Sequence, residues 1–134
     1  MMITAPHSDI WLIRRNLTNF TIAANASRNL ITGVPHVGIH VDIGRMCKGF
    51  TRIVGSIKSS ENSAINGFVI YQGALLADAT GALVVQWLVT SQYTLAPDVE
   101  QTFDLPVLCE IVKPVLTNGP ALANVIVYGM LRVI

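Results

Sequence analysis

The residues of this chain that could bind a metal ion lie in one short segment. His36, His40 and Asp42 differ by even numbers, so on a β-strand their side chains would point to one face. Imidazole and carboxylate groups are ligands that zinc accepts. Four residues of strand span about 13 Å, however, too far for the two histidines to share an ion without a bend. A solvated polar face explains the pattern better, so we expect no metal site and keep His40 and Asp42 as weak candidates.

Other motifs for catalysis or cofactor binding are missing from the sequence. It contains no nucleophile elbow, no phosphate-binding glycine loop and no HExxH zinc motif. Cys47 and Cys109 lack metal-type spacing and are expected to be buried, reduced thiols. Nine Lys and Arg residues against eight Asp and Glu are too balanced for a dedicated nucleic-acid-binding protein. We therefore expect a protein that is not an enzyme, carries no cofactor and does not bind nucleic acid.

The composition is rich in apolar residues and poor in charged ones. Of its 134 residues, 51% are hydrophobic and 13% are charged, with a mean hydropathy of +0.53. An average domain carries about 25% charged residues. No apolar run reaches the roughly 18 residues that a membrane-spanning helix needs, so a membrane is not an expected partner. The apolar residues must therefore be covered by protein.

Short apolar runs separated by Gly, Asn, Ser or Pro recur along the chain, which is typical of all-β proteins. We predict an antiparallel two-sheet sandwich, jelly-roll-like, with eight or nine strands. The N-terminal arm covers residues 1–10, and one domain covers residues 11–134, since no linker divides it. The predicted strands are Trp11–Arg15, Phe20–Ala24, Val37–Ile43, Phe50–Lys58, Gly67–Gln72, Ala82–Thr90, Gln101–Leu105, Val107–Leu116 and Ala121–Val133.

Several local signals refine this prediction. Asn118-Gly119 is a two-residue turn signal and predicts that the last two strands form a hairpin. Pro106 predicts a corner or an edge, because proline cannot donate to a ladder. The segment 74–80 could hold one helical turn. Trp87 lies among aliphatic residues, which favours a core position over a binding platform.

Three segments are apolar on both faces or nearly so: residues 81–90, residues 107–116 and the C-terminal strand. A two-layer sandwich buries one face of each sheet, so another subunit is expected to cover the second face. Covering about 800 Å² of apolar surface is worth on the order of 20 kcal/mol before the costs of association are subtracted. We therefore predict a homo-oligomer. Its predicted interface residues are Leu122, Ile126, Tyr128, Met130 and Ile134.

Several turn segments resemble those of small β-sandwich structural proteins of bacteriophage particles. The resemblance spans about residues 37–134 and rests on Gly55, Ser59–Ser63, Tyr71-Gln72-Gly73 and Thr117-Asn118-Gly119. The prolines that flank the Asn-Gly pair depart from it, because ladder donors are expected there.

The resemblance implies a structural protein of a virus particle, most simply a capsid decoration (cement) protein. Such proteins are commonly trimers seated on the major capsid protein, and an N-terminal arm often reaches a neighbour. It further implies synthesis in the host cytoplasm and a final place on the capsid surface. Arm contacts would then come from Met2, Ile3, Ile10 and Trp11. A small jelly-roll capsid subunit, a tail attachment subunit and a glycan-binding β-sandwich module are the alternatives.

Overall fold

The computed structural model of the chain describes residues 10–13, 20–31, 44–120, 124–125 and 127–134. Regular structure in these ranges consists of strands alone, and none of these residues belongs to a helix that could span a membrane. The strands are β1 (Ile10–Ile13), β2 (Phe20–Thr21), β3 (Ser27–Asn29), β4 (Arg45–Met46), β5 (Arg52–Ser59), β6 (Ser63–Ala77), β7 (Leu83–Tyr93), β8 (Gln101–Pro106), β9 (Ile111–Asn118), β10 (Asn124–Val125) and β11 (Val127–Val133).

Two antiparallel sheets pack face to face. One has four strands in the order β1-β11-β5-β8, and the other has five, in the order β3-β9-β6-β7 with β4 also paired to β9. Among the described residues, β2 and β10 form a separate two-stranded ribbon. The predicted all-β, two-sheet sandwich with eight or nine strands is confirmed, with nine strands in the two main sheets.

The strand order is that of a jelly roll. Leaving out the short strands β2, β4 and β10, the first strand pairs with the last, β3 with β9, β5 with β8, and β6 with β7. The chain thus behaves as one long antiparallel ribbon, folded at the β6–β7 hairpin and wrapped into two sheets. Because β6 and β7 lie at the fold of this ribbon, their hairpin is free to extend beyond the sandwich.

The space between the sheets is filled by side chains that alternate along the strands. Three aromatic rings pack together there, with Phe68 and Phe103 buried and Tyr93 partly buried: the Phe103 ring centroid is 5.3 Å from that of Phe68 and 4.8 Å from that of Tyr93. Aliphatic side chains of both sheets surround these rings. The fully buried ones include Ile53, Ile57, Ile70, Leu116 and Leu131.

One end of the sandwich, here called the terminal end, carries both ends of the described chain. Ile10 pairs with Val133, and the backbone of Ile134 exchanges hydrogen bonds with Arg52. The segment 107–110 crosses between the sheets at this end, because it connects β8 to β9. The pairing of β6 with β9 also stops here, at Gly73 opposite Ile111. The rest of the β6–β7 hairpin therefore projects from the terminal end.

The predicted hairpin at Asn118-Gly119 is wrong. β9 pairs with β6 and β3 in one sheet, whereas β11 pairs with β5 and β1 in the other. Neither Asn118 nor Gly119 has the positive φ that a tight hairpin turn needs. Instead, the buried Asn118 amide donates to the carbonyl of Ile22 at 2.8 Å, and the Gly119 N–H donates to the carbonyl of Asn62 at 3.1 Å. These residues join three loops at the end opposite the terminal end.

Other strand predictions have mixed outcomes. Pro106 ends the edge strand β8, so the predicted corner or edge is confirmed. The predicted helical turn over 74–80 is wrong, because β6 continues to Ala77 and Asp78 begins the turn of the hairpin. The strand predicted over Val37–Ile43 lies outside the described residues.

Candidate interaction surface

The segment 74–86, here called the projecting hairpin, is an exposed apolar part of the described chain. Its first strand lies beyond the last residue of β6 that pairs with β9. The Glu110 carboxylate accepts a hydrogen bond from the Leu75 N–H at 2.8 Å. At the base of the hairpin it thus takes the place of the backbone acceptor that a neighbouring strand would supply. Past this point, β6 and β7 pair only with each other within the described residues.

The tip of the projecting hairpin is organised by Asp78. Its Oδ1 atom accepts hydrogen bonds from the Thr80 hydroxyl at 2.6 Å, the Thr80 N–H at 2.8 Å and the Ala82 N–H at 3.0 Å. These bonds, led by the one from the Thr80 hydroxyl, lower the pKa of Asp78. Gly81 supplies the left-handed conformation, with a φ of +86°. The one carboxylate of this segment therefore shapes a turn.

Apolar side chains on both strands of the projecting hairpin face solvent. Leu76 is 45% exposed, Leu83 54% and Val84 44%, and Leu88, next to the base, is 57% exposed. Apart from Asp78, no residue from Ala74 to Tyr93 is charged. Several exposed apolar side chains on one hairpin with a single charge mark an interaction site more often than a surface meant for water.

An aromatic pair and a lysine lie at the base of the projecting hairpin, on the outer face of the five-stranded sheet. The ring centroids of Tyr71 and Trp87 are 5.6 Å apart. The Lys113 Nζ atom lies 4.6 Å from the Trp87 centroid and 5.4 Å from the Tyr71 centroid, within cation–π range of both. Gly73 makes room for this arrangement, because a Cβ there would come within 2.8 Å of the Trp87 ring.

The predicted core position of Trp87 is wrong, and a β-bulge is the reason. Gln72 pairs with Val89, but the next residue, Gly73, pairs with Trp87, so Leu88 is an extra residue in β7. Simple alternation places Val89 and Trp87 on one face. The bulge separates them: Val89 lies opposite the inward-facing Gln72, and Trp87 lies outside beside Tyr71.

Gln72 binds the segment 107–110, the crossover between the two sheets, at the base of the projecting hairpin. Its side chain is 1% exposed. The amide donates to the carbonyl of Pro106 at 3.0 Å, and its oxygen accepts from the N–H groups of Leu108 at 2.7 Å and Cys109 at 3.3 Å. Gln72 belongs to the middle of β6, whereas the resemblance had implied that a strand ends in a turn at this residue.

The predicted interface on the C-terminal strand is described in part. Met130 is 39% exposed on the outer face of the four-stranded sheet, and Ile134 is 41% exposed at the terminal end. Tyr128 belongs to β11 opposite Lys58. Leu122 and Ile126 lie outside the described residues. The structure brings Met130 together with Val54 and Arg132 around a shallow cavity of about 390 Å³.

Charged residues make this outer face more polar than the projecting hairpin. The Arg52 guanidinium forms a two-pronged ion pair with the Asp104 carboxylate, with one bond from Nε at 2.9 Å. The ion pair lowers the pKa of Asp104 and raises that of Arg52. Both side chains are more than half exposed, so the pair adds little to stability.

The remaining predicted residues are placed as follows. Ile10 and Trp11 belong to β1, where they pair with Val133 and Arg132 of the same chain. Met2 and Ile3 of the predicted arm, and the weak metal candidates His40 and Asp42, lie outside the described residues. Within the described ranges, no three His, Cys, Asp or Glu side chains group together as metal ligands would.

The two cysteines are free thiols, as predicted, but the predicted burial holds for Cys47 alone. Cys47 is buried in the core, and its thiol donates a weak hydrogen bond to the carbonyl of Arg45 at 3.4 Å. Burial raises the pKa of Cys47 to about 12. Cys109 is half-buried beside it, in the crossover that Gln72 holds.

No family model matches this chain, and no curated protein matches its sequence significantly. The function is therefore inferred from the fold and from the surfaces described above.

Proposed function

We propose that the protein is a non-enzymatic structural component of a bacteriophage particle, acting as a capsid decoration (cement) protein that oligomerises and stabilises the shell. The observation that carries this proposal is the projecting hairpin, whose apolar side chains extend into solvent from a jelly-roll domain. Jelly rolls are common in viral capsids. Because a fold by itself does not imply a function, the proposal rests on the surface that this fold displays.

The exposed side chains of the projecting hairpin supply binding energy to an assembly. Fully burying one Leu or Val side chain is worth about 1.5–3 kcal/mol. Leu76, Leu83, Val84 and Leu88 are each about half exposed, so covering the remainder is worth roughly 3–6 kcal/mol before the costs of association. A neighbouring subunit that covers them gains this energy without any change in the sandwich.

The topology supports a clamping role. The projecting hairpin and the start of β1 lie at the same end of the sandwich, in different sheets. A contact made at this end could thus engage both the arm and the hairpin. In this proposal the partners are other copies of the chain, a trimer by the resemblance, and the major capsid protein of the virus. The site of action is the capsid surface.

Binding to particles tests the proposal. Purified chain is mixed with bacteriophage particles from its source culture that have been depleted of it, and the particles are then pelleted. We expect the wild-type chain to pellet with the particles, and Leu76→Asn or Leu83→Asn to pellet less. Thr102→Asn, on the exposed face of β8, is the matched control. The proposal is overturned if wild-type chain stays in the supernatant and mass spectrometry finds none in untreated particles.

A role as a small capsid subunit or a tail attachment subunit would use the same surfaces. A decoration protein adds to a shell that is already complete, whereas a capsid subunit is needed to form it. Particles assembled without the chain therefore distinguish the two roles. We expect intact shells that release their DNA at a lower temperature than shells carrying the chain.

The aromatic pair favours one second candidate, a glycan-binding module. Tyr71 and Trp87 are half-buried on an outer sheet face, as sugar platforms often are. The Lys113 ammonium group lies over both rings, however, and a sugar would have to displace it. A glycan array probed with wild-type protein and with Trp87→Ala tests this candidate. Binding that is lost in the variant would favour it over the structural role.

A further inference from the structure

The edges of the two sheets differ in how they are protected. Edge strands expose unpaired N–H and C=O groups, and proteins usually keep them short or place charges and prolines along them. β1 has four residues, β3 three and β4 two. β8 has six and carries Asp104 and Pro106. β7 has eleven residues, and its sequence LVVQWLVTSQY contains neither a charge nor a proline.

Within the described residues, β7 pairs only with β6, so no described strand covers its other edge, here called the open edge. The segments that border residues 32–43 do not lead toward this edge. Leu30 donates to the carbonyl of Pro114, and Arg45 pairs with Val112, so both borders lie on β9, two strands away from β7. Eleven residues of strand present an edge about 36 Å long.

We infer that the open edge of β7 binds the same edge of a second copy of the chain, antiparallel about a two-fold axis near Gln86. The inference rests on the proposed role of the projecting hairpin as a contact surface and names its partner, but it replaces the trimer that the resemblance implies with a two-fold pair. It would join two five-stranded sheets into one continuous sheet across the axis, by the same backbone pairing that peptides use when they extend a sheet.

The sequence of β7 is self-complementary around Gln86. Residues 83–89 read Leu-Val-Val-Gln-Trp-Leu-Val, with three apolar residues on each side of the glutamine. In a two-fold pair centred there, Val85 meets Trp87 and Val84 meets Leu88 of the second copy, while the two Gln86 amides meet each other. Apolar cross-strand pairs are stabilising. The bulge at Leu88 ends the regular part of the edge, so the closest pairing covers residues 84–88.

A second copy can pair with this edge because the strand carries no charged residue. In a two-fold pair the residue on the axis meets its own copy and its neighbours lie close to theirs, so a charge there would lie near a like charge. From Leu83 to Tyr93 there is none. The opposite case is β8, where Asp104 lies in mid-strand.

Disulfide trapping tests the pairing. Gln86→Cys is made in a Cys109→Ser background, which removes the half-buried native thiol, and the purified protein is oxidised at low concentration. Opposed residues of an antiparallel pair have Cα atoms about 4.5–5.5 Å apart, within the range that a disulfide spans. We expect a covalent dimer from Gln86→Cys and none from the control Thr102→Cys on β8.

A charge variant provides a second, independent measurement. Gln86→Lys would place two ammonium groups next to each other at the axis, and we expect the dissociation constant for self-association to rise at least about tenfold. Thr102→Lys should leave it unchanged. Circular dichroism verifies that both variants fold, and the trapping experiment does not depend on either of them.

Three results would overturn the pairing. The first is equal trapping by Gln86→Cys and Thr102→Cys. The second is a closed trimer, which has no two-fold axis between its subunits. The third is self-association that is lost on deleting residues 1–9 while Gln86→Cys gives no covalent dimer, because the arm of a neighbour would then hold the copies together. These experiments use purified protein, so the pairing can fail while particle binding succeeds, and the reverse.

Discussion

Replacing Gln72 with leucine should lower the free energy of unfolding by about 2–3 kcal/mol. The amide of Gln72 makes three hydrogen bonds to the crossover, at 3.0, 2.7 and 3.3 Å, and leucine can make none of them. A typical neutral hydrogen bond contributes about 1 kcal/mol net, and the N–H groups left behind are only partly able to reach water. Leucine has a similar size, so no large cavity adds to the loss.

The assay is chemical unfolding by urea at a fixed protein concentration, since self-association shifts apparent stability. The matched control is Gln92→Leu, an exposed glutamine on β7, where we expect a change within about 0.5 kcal/mol. Equal effects of the two substitutions would refute the reasoning, because the buried amide would then contribute no more than an exposed one. A smaller urea dependence for Gln72→Leu alone would instead point to a loosened native state.

Three further predictions concern other parts of the sandwich. Gly55→Ala should cost at least about 3 kcal/mol in urea unfolding, because φ is +147° and a Cβ would meet a carbonyl oxygen of β11. In a thiol-reagent assay at pH 8, folded protein should react at Cys109 and hardly at Cys47, whose pKa of about 12 keeps it protonated. Arg52 lowers the pKa of Asp104, so its small stabilisation, present above the unfolded-state pKa, should disappear as the pH falls through the lower folded-state pKa.

Each of these has a contradicting outcome. For the glycine, the control is Gly81→Ala, where φ is positive but nothing lies within 4 Å of the new Cβ, so only strain is added. Equal costs at the two glycines would contradict the close approach of β5 and β11. Rapid reaction of both thiols in the folded state would contradict the burial of Cys47. A two-dimensional NMR titration in which Asp104 has an ordinary pKa would contradict the ion pair.

Local pattern was enough to predict the fold class. In β5, for example, Ile53 and Ile57 point to the core, whereas Arg52 and Lys58 point outward. This spacing indicates a half-buried strand. The Gly, Asn and Pro clusters marked most strand ends. Both signals arise from residues that are close together in the chain, so they can be read from a single sequence.

Strand pairing could not be read in the same way. The Asn118-Gly119 signal is compatible with a tight turn, but the Asn118 amide finds its partner at Ile22, which is distant in sequence. Tertiary hydrogen bonds therefore override the local turn preference. β11 then finds its partners in β5, near the middle of the chain, and in β1, at its other end.

The shortage of charges predicted apolar surface that another subunit covers. Met130 and Ile134 of the predicted interface are exposed, and the subunit that covers them stays a prediction. The sequence marked residues 81–90 as apolar on both faces, but the predicted interface residues all belong to the C-terminal strand. Only the end of the pairing with β9 at Gly73 reveals that the projecting hairpin extends past the core. The one-residue bulge at Leu88 likewise moved Trp87 to the outer face.

The mass of the purified protein in solution tests the central claim, that the apolar projecting hairpin is covered by another subunit. Sedimentation velocity is run on wild type and on the double variant Leu76→Ser, Leu83→Ser over a range of concentrations. We expect wild type to sediment as a multiple of 14.5 kDa and the variant to shift toward 14.5 kDa. A wild-type protein that stays soluble as a 14.5 kDa monomer at the highest concentration would contradict the account.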